Sequence, residues 1–356
     1  MRDAIVLSGW TWEANNVPER MAQALAYGGA RVLYCEKPIS LFKDSAKPLT
    51  EVEKDLFVLG LTFFAQRANS FPAVRRFQTE FVLKQILRNA EILQLKNPLV
   101  VYPHGDFLPL ISDFKQRGFP LINICMDYEL SIMMEHVRLS DLTLVIPLAA
   151  YRDLKSEFGD KIKRIPQFAS QPLKGIKNET SEVSELAEIG RPRLGYLGDL
   201  SGRVSYSLLS DILAMHPDWQ FISFGSPDGR LRQPNAHILP WLPLQQLEIV
   251  LGQLDVGFMP YDSSPKNMRC VPLKLFDYFA HGLPVVATPI DYLREPEFEG
   301  LVYLGSTAEE LAKAISLALS EPADSPKKEK RKALTQNHSV DKLSPLLASI
   351  LEKVSV

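Results

Sequence analysis

Chemistry in this chain concentrates in Val271–Thr288, where Lys274, Asp277 and Tyr278 stand at i, i+3 and i+4 and so share one face of an expected helix. Pro272 suits the first helical turn, Gly282 suits the position just past the last, and Pro284–Ala287 reads as a buried strand. Leu275, Phe276 and Phe279 then cover the sheet side. A lysine in the first turn opposes the helix dipole, which favours negative charge at that end. An anionic ligand removes the conflict. A diphosphate would meet the ammonium and free backbone N–H groups, while a carboxylate one turn on accepts hydrogen bonds from a ribose diol. A surface ion pair between Lys274 and Asp277, worth about 0.3 to 0.5 kcal/mol, accounts for the same two residues and stays open. Upstream, Arg193–Arg203 holds Gly198 and Gly202 in a flexible turn, and Arg203 on that turn suits a bidentate diphosphate clamp, with a solvated loop arginine as the alternative.

The elements that must position these groups are short apolar strands with helical segments between them. In the first half, strands are expected at Ala4–Ser8, Arg31–Tyr34, Leu56–Leu59, Leu99–Tyr102, Leu121–Cys125, Leu142–Ile146 and Ile162–Ile165. The second half repeats the pattern at Arg193–Leu197, Gln220–Phe224, Ala236–Leu239, Asp255–Met259, Pro284–Ala287 and Leu301–Leu304. Helices fit at 206–215, 244–252, 272–280 and 308–319. Such alternation means parallel sheets covered on both faces, so the expected fold is α/β with two doubly wound Rossmann-like domains facing across a cleft. The domains are expected at 1–175 (acceptor side), 176–192 (a polar linker), 193–336 (donor side) and 337–356 (a C-terminal helix crossing back to the first domain).

Composition narrows the function. A chain of 356 residues with 46% hydrophobic and 23% charged residues is globular and long enough for two domains, and its net charge of −2 argues against a nucleic-acid partner. Three scattered cysteines form neither a disulfide framework nor a metal knuckle, which suits a reducing compartment. The apolar run at the N-terminus is too short for a signal peptide, and no stretch approaches about 18 apolar residues, so a cytoplasmic protein is expected. One segment, Phe71–Lys96, has an apolar stripe (Val74, Phe77, Phe81, Ile86, Leu93) together with Arg75, Arg76, Lys84, Arg88 and Lys96. A basic amphipathic helix of this kind can contact a membrane surface peripherally, here the inner membrane face. A solvated domain helix is the alternative, because Glu80 and Glu91 dilute the charge.

The first strand–helix turn reads Ser8-Gly9-Trp10-Thr11-Trp12 instead of a Gly-x-Gly-x-x-Gly turn, and no P-loop or Gly-x-Ser-x-Gly elbow occurs. Nor is there an Asp-x-Asp pair to hold a divalent ion against a diphosphate, so no metal and no cofactor are expected.

The run Pro272-x-Lys274-x-x-Asp277-Tyr278-x-x-x-Gly282-x-Pro284-Val285-Val286 resembles the nucleotide-sugar motif of the GT-B glycosyltransferases grouped as glycosyltransferase family 4. The resemblance implies that Lys274 meets the donor phosphates and Asp277, where the family usually has Glu, holds the ribose; Gly198, Arg203 and Tyr278 complete the expected donor-binding set. The family often has a second Glu eight residues earlier, and Arg269 stands there. Asn235–Leu247 resembles the strand and loop lining the base pocket, with Pro240 where glycine is common. More loosely, Val17–Leu25 with Arg31–Tyr34 looks like the opening helix and second strand of the family's acceptor domain, Ile124–Glu129 with Ser140–Thr143 is similar to segments of bacterial envelope-polysaccharide transferases of this fold, and His338–Val340 resembles the tail that in such enzymes crosses back to the first domain.

The implied activity moves a hexose-type sugar from a nucleoside diphosphate of uridine or guanosine type, used as substrate, to a saccharide or lipid-linked acceptor in polysaccharide or glycoconjugate synthesis. Asp127 and His104 follow expected strands and are the candidate catalytic groups, Asp127 first as a general base. Trp10 and Trp12, beside the end of the first strand, are the acceptor-side candidates for stacking. Two rival readings are a nucleotide-sugar epimerase of the same fold and a non-catalytic sugar- or partner-binding module, the latter supported by Arg269.

Overall fold

The computed structural model describes all residues except 15, 43–44, 65–70, 104, 106, 127–129, 170–185, 199, 201, 226–228, 243 and 355–356. It divides into two compact units, Met1–Phe168 with His338–Val356, and Ala169–Asn337. Of the linker expected over 176–192, residues up to 185 lie outside the described ones.

Unit 1 begins with β1 (Ala4–Leu7), α1 (Val17–Tyr27), β2 (Val32–Cys35), β3 (Ile39–Ser40), β4 (Thr50–Glu53), β5 (Leu56–Leu59) and β6 (Thr62–Phe63). It continues through α2 (Pro72–Ile92), β7 (Leu99–Pro103), α3 (Leu108–Gln116), β8 (Leu121–Cys125), α4 (Leu130–Leu139), β9 (Leu142–Val145), α5 (Leu148–Phe158) and β10 (Ile162–Arg164). Its main sheet runs β10-β9-β8-β7-β1-β2-β5-β4, parallel except for the antiparallel edge strand β4. Strands β1, β2, β7 and β8 are buried along their whole length, as a sheet covered on both faces requires. The sequence reading missed β3, β4 and β6. β4, Thr-Glu-Val-Glu, is wholly exposed, and β3 and β6 are two residues each, so none offers an apolar run.

Unit 2 contains β11 (Arg193–Tyr196), α6 (Tyr206–Met215), β12 (Gln220–Phe224), β13 (Ala236–Leu239), α7 (Leu244–Leu251), β14 (Val256–Met259), α8 (Pro265–Met268) and α9 (Lys274–Ala280). β15 (Val285–Ala287), β16 (Val302–Leu304), α10 (Ala308–Leu319) and α11 (Pro326–Asn337) complete it. The order β13-β12-β11-β14-β15-β16, all parallel, is the 3-2-1-4-5-6 order of a Rossmann sheet counted in this unit's own strands. The last helix, α12 (Val340–Leu351), belongs to unit 1. There Ser344 Oγ donates to the Ala24 carbonyl of α1 at 2.7 Å, and His338 Nδ1 donates to the Gln167 carbonyl at 2.7 Å.

In open parallel sheets, ligands sit at the carboxyl ends of the strands where the order reverses. In unit 2 that point lies between β11 and β14, and in unit 1 between β1 and β7. The donor-side candidates Gly198 and Arg203 follow β11 in the chain, and the acceptor-side candidates Trp10 and Trp12 follow β1, so each set is encoded next to one of these points.

Two expectations are corrected here. α2 buries Gln78, Val82, Leu83, Ile86 and Ala90, so Phe77 of the expected apolar stripe faces outward, 58% exposed. The helix carries apolar side chains on both faces. The helix expected from Pro272 begins instead at Lys274, after a turn in which Leu275 N donates to the Pro272 carbonyl at 3.1 Å.

Candidate functional site

The turn after β11 and the start of α9 meet at the reversal point of unit 2. Gly198 has φ +121, a conformation that side-chain-bearing residues rarely adopt, and a Cβ there would lie 3.3 Å from Lys274 Nζ. Glycine is therefore required twice, for the backbone and for the approach of the ammonium. That ammonium stands 3.5 Å above the centre of the Tyr196 ring, at the end of β11, and 5.7 Å from that of Tyr261, just past β14. The buried rings attract the cation through their faces while removing water from it. Burial, against the opposing influence of Cys270 and Asp277 and with help from the charge on Arg203, holds the Lys274 ammonium down at a pKa of about 7.

Arg203 is anchored by a residue that the sequence reading passed over. Asn267 is fully buried; its Oδ1 accepts from Arg203 Nη1 at 3.3 Å, and its Nδ2 donates to the Arg203 carbonyl at 2.7 Å and to Asp262 Oδ1 at 2.7 Å. Asp262 N donates to the Arg203 carbonyl at 2.9 Å. Burial alone would raise the Asp262 carboxyl, but hydrogen bonds from Ser264 and Asn267 and the charge on Arg203 outweigh it and hold it below the usual carboxylate range. Nothing in the local sequence marks Asn267, because its partners lie five residues before it and 64 residues before it.

Tyr278 is placed differently from expectation. Its side chain is fully buried, with the hydroxyl donating to the Gly195 carbonyl and accepting from Leu197 N, both at 2.9 Å. It shapes the β11 turn from beneath and does not share a polar face with Lys274. Asp277, half-buried, is close enough to influence Lys274 electrostatically. Arg269 is exposed at the end of α8. Beyond β13, Trp241 is 59% exposed and lays its indole over Gly225 at the end of β12, where a Cβ would come within 3.2 Å of the ring. Behind the site, α11 is fixed to unit 2 by the buried Arg331, whose guanidinium takes both Glu321 oxygens at 2.7 Å. Thr335 Oγ1 of the same helix donates to the Phe276 carbonyl of α9 at 3.4 Å.

In unit 1 the turn after β1 is braced. Tyr34 donates to Ser8 Oγ at 2.7 Å, Trp10 N donates to the same oxygen at 3.1 Å, and Lys37 N donates to the Trp10 carbonyl at 3.2 Å. The buried Glu36 carboxylate accepts from Trp12 N at 2.8 Å and lies 3.4 Å from Lys47 Nζ. Trp12 packs edge-on against Tyr34, whereas Trp10 is 45% exposed. His104 and Asp127 lie outside the described residues. Gly105, next to His104 in the chain, donates its N–H to Nε2 of the buried His136 at 3.2 Å. Among the described residues, no group of three or more His, Cys, Asp or Glu side chains is placed to hold a metal ion. Nor, among them, is any helix long and apolar enough to cross a membrane.

Two Rossmann-like units, with a lysine and an arginine gathered at the sheet reversal of the second, define the class of fold as GT-B, that of the nucleotide-sugar glycosyltransferases. Residues 191–321 match the family model "Glycosyl transferases group 1". A glycosyltransferase assigned to teichuronic acid biosynthesis in Bacillus subtilis (strain 168) is 32% identical over 104 residues, covering 27% of this chain and 26% of that protein. The chain thus matches about a quarter of the length of that relative.

Solved structures extend the likeness in fold to the whole chain. A UDP-forming α,α-trehalose-phosphate synthase from Burkholderia vietnamiensis superposes with a TM-score of 0.68 at 14% identity, covering 100% of this chain and 98% of that one. The sucrose-phosphate synthase of Thermosynechococcus elongatus gives 0.70 at 14% identity with 100% of both chains covered. An E. coli trehalose-6-phosphate structure bound with UDP-2-fluoro glucose gives 0.70 at 12% identity with 99% of both covered.

Proposed function

We propose that this protein is a glycosyltransferase that moves a hexose-type sugar from a nucleoside diphosphate, bound by unit 2, to a saccharide or lipid-linked acceptor in polysaccharide or glycoconjugate synthesis. Uridine diphosphate is the first choice of donor nucleotide, because similar folds are UDP-forming or hold a UDP sugar; guanosine diphosphate is the second. The observation that carries the reading is the pairing of Lys274 and Arg203 beside Gly198. Two cations that raise each other's energy, one of them desolvated over Tyr196, are relieved by a ligand with two negative charges. A diphosphate has that charge, and its negative charge grows as the sugar departs. An ammonium and a guanidinium aimed at the leaving group therefore stabilise the transition state more than the ground state.

The proposal needs no metal or cofactor, since Lys274 and Arg203 supply the countercharge. Asp127 and His104 are the proposed acceptor-activating groups and Trp10 the proposed acceptor platform. Peripheral contact with a membrane surface fits a lipid-linked acceptor. Calorimetric titration of uridine and guanosine diphosphates into the protein and into Lys274→Ala tests the reading. A charge-assisted contact contributes about 1.5 to 3 kcal/mol, so affinity should fall by roughly 10- to 150-fold. Equal affinity in a folded Lys274→Ala protein would overturn it.

A further inference from the structure

Lys274 has a capacity that binding a diphosphate does not use. Its Nζ is held by ring faces, 3.5 Å from the centre of Tyr196 and 5.7 Å from that of Tyr261. Among the described residues, no oxygen accepts a hydrogen bond from this nitrogen or pairs with it as an ion. An amine so placed loses little when it gives up its proton, because nothing hydrogen-bonds to the charged form. It is also reachable. The side chain is only partly buried, and Gly198 leaves open the space beside Nζ that a Cβ 3.3 Å away would occupy.

The groups around it act in both directions. Loss of water and the charge on Arg203 disfavour the ammonium, Cys270 and Asp277 favour it, and the balance leaves the amine at a pKa of about 7. Exposed lysines stay near about 10.4. A lysine in an apolar setting beside a second cation is an activated nucleophile. The second cation is Arg203, held in place by Asn267, and its planar guanidinium suits a phosphoryl group.

We infer that Lys274 is a modification site, acylated by small acyl phosphates that the diphosphate subsite itself recruits, and that acylation switches donor binding off. Arg203 takes the phosphoryl oxygens, which brings the acyl carbon against Nζ. The nitrogen lone pair forms a bond to that carbon, the bond from the carbon to the bridging oxygen breaks, and inorganic phosphate leaves with the electron pair. The amine proton passes to water. The amide that results has no charge to offer a diphosphate, so sugar transfer falls as acyl phosphate accumulates. The inference rests on the reading of Lys274 and Arg203 as the diphosphate subsite.

The test is incubation of the full chain with acetyl phosphate at pH 8, followed by peptide mass spectrometry, with and without saturating uridine diphosphate. Lys274 should acetylate about fivefold or more faster than the exposed Lys54 and Lys330, since its neutral fraction is about 200 times theirs and its lower basicity cancels only part of that gain. Uridine diphosphate should protect it, and Arg203→Ala should slow the reaction. The acetylated protein should bind uridine diphosphate about tenfold or more weakly while melting at the unmodified temperature. Acetylation of Lys274 no faster than that of Lys54 and Lys330 overturns the inference, as does an unchanged rate in an Arg203→Ala protein that melts like wild type. Calorimetry on the unmodified protein separates the two readings. Nucleotide binding without selective acetylation leaves the donor reading standing and removes this one, whereas selective acetylation in a chain that binds no nucleotide overturns the donor reading and the switch with it.

Discussion

The two units are built on the same parallel-sheet plan and use it in opposite ways. In unit 2, the groups at the sheet reversal are drawn inward, with Lys274 over Tyr196, Arg203 held by a buried Asn267 and Tyr278 sealed beneath. In unit 1, the corresponding turn is braced just as firmly by Ser8, Tyr34 and Glu36, yet it leaves Trp10 exposed, and Phe42 and Phe77 lie exposed elsewhere on that unit. Inward cations suit a small, highly charged ligand that must be desolvated. Braced but exposed rings suit a larger or more variable surface such as a sugar chain. Rigidity is common to both turns, and the difference is in what each leaves accessible.

The largest expected effect tests the inward half through pH. Unbound Lys274 titrates near 7 because burial disfavours its charged form, and a bound diphosphate must raise that pKa. Above pH 7 binding therefore takes up a proton, and affinity for uridine diphosphate should fall as pH rises, by up to roughly 50-fold between pH 7 and 9. Below about pH 6 Lys274 is already charged and its contribution to the pH dependence levels off. Calorimetry in buffers of different ionisation enthalpy measures the proton uptake directly. The same profile in Lys274→Met as in wild type would show that another group is responsible.

A smaller effect separates supporting groups from contacting ones. Tyr278→Phe leaves the Gly195 carbonyl and Leu197 N–H without their buried partner and should cost about 1 to 3 kcal/mol of stability, read by thermal or urea unfolding. Were Tyr278 instead a ligand contact, as its place in the motif implies, the loss would appear in nucleotide affinity with the melting temperature unchanged.

The smallest effect tests the outward half. Trp10→Ala should leave nucleotide affinity at the wild-type value while lowering kcat/KM for acceptor by about fivefold, the weight of one aromatic contact of roughly 1 kcal/mol. A loss of nucleotide affinity in that variant would erase the distinction between the units.

Local sequence determined a great deal here. Short apolar runs such as Leu121–Cys125 and Val285–Ala287 announce buried parallel strands, because a strand covered on both faces needs no alternation. The Lys274–Gly282 segment was legible because a lysine in a first helical turn is a local electrostatic conflict. What local sequence could not decide was which residues would meet. Tyr278 reads as a partner of Lys274 by helical spacing, but α9 lies against the sheet so that the ring turns under β11. Asn267 carries no signal, since its role depends on Arg203 being 64 residues away in the chain and in hydrogen-bond contact in space. The stripe expected on α2 does not keep to one face, because packing takes Ile86 and Leu93 from it into the core, with Val82 beside them, and leaves Phe77 outside. Spacing along the chain sets which side chains share a face, whereas burial, which sets the pKa of Lys274 and the exposure of Phe77, belongs to the assembled unit.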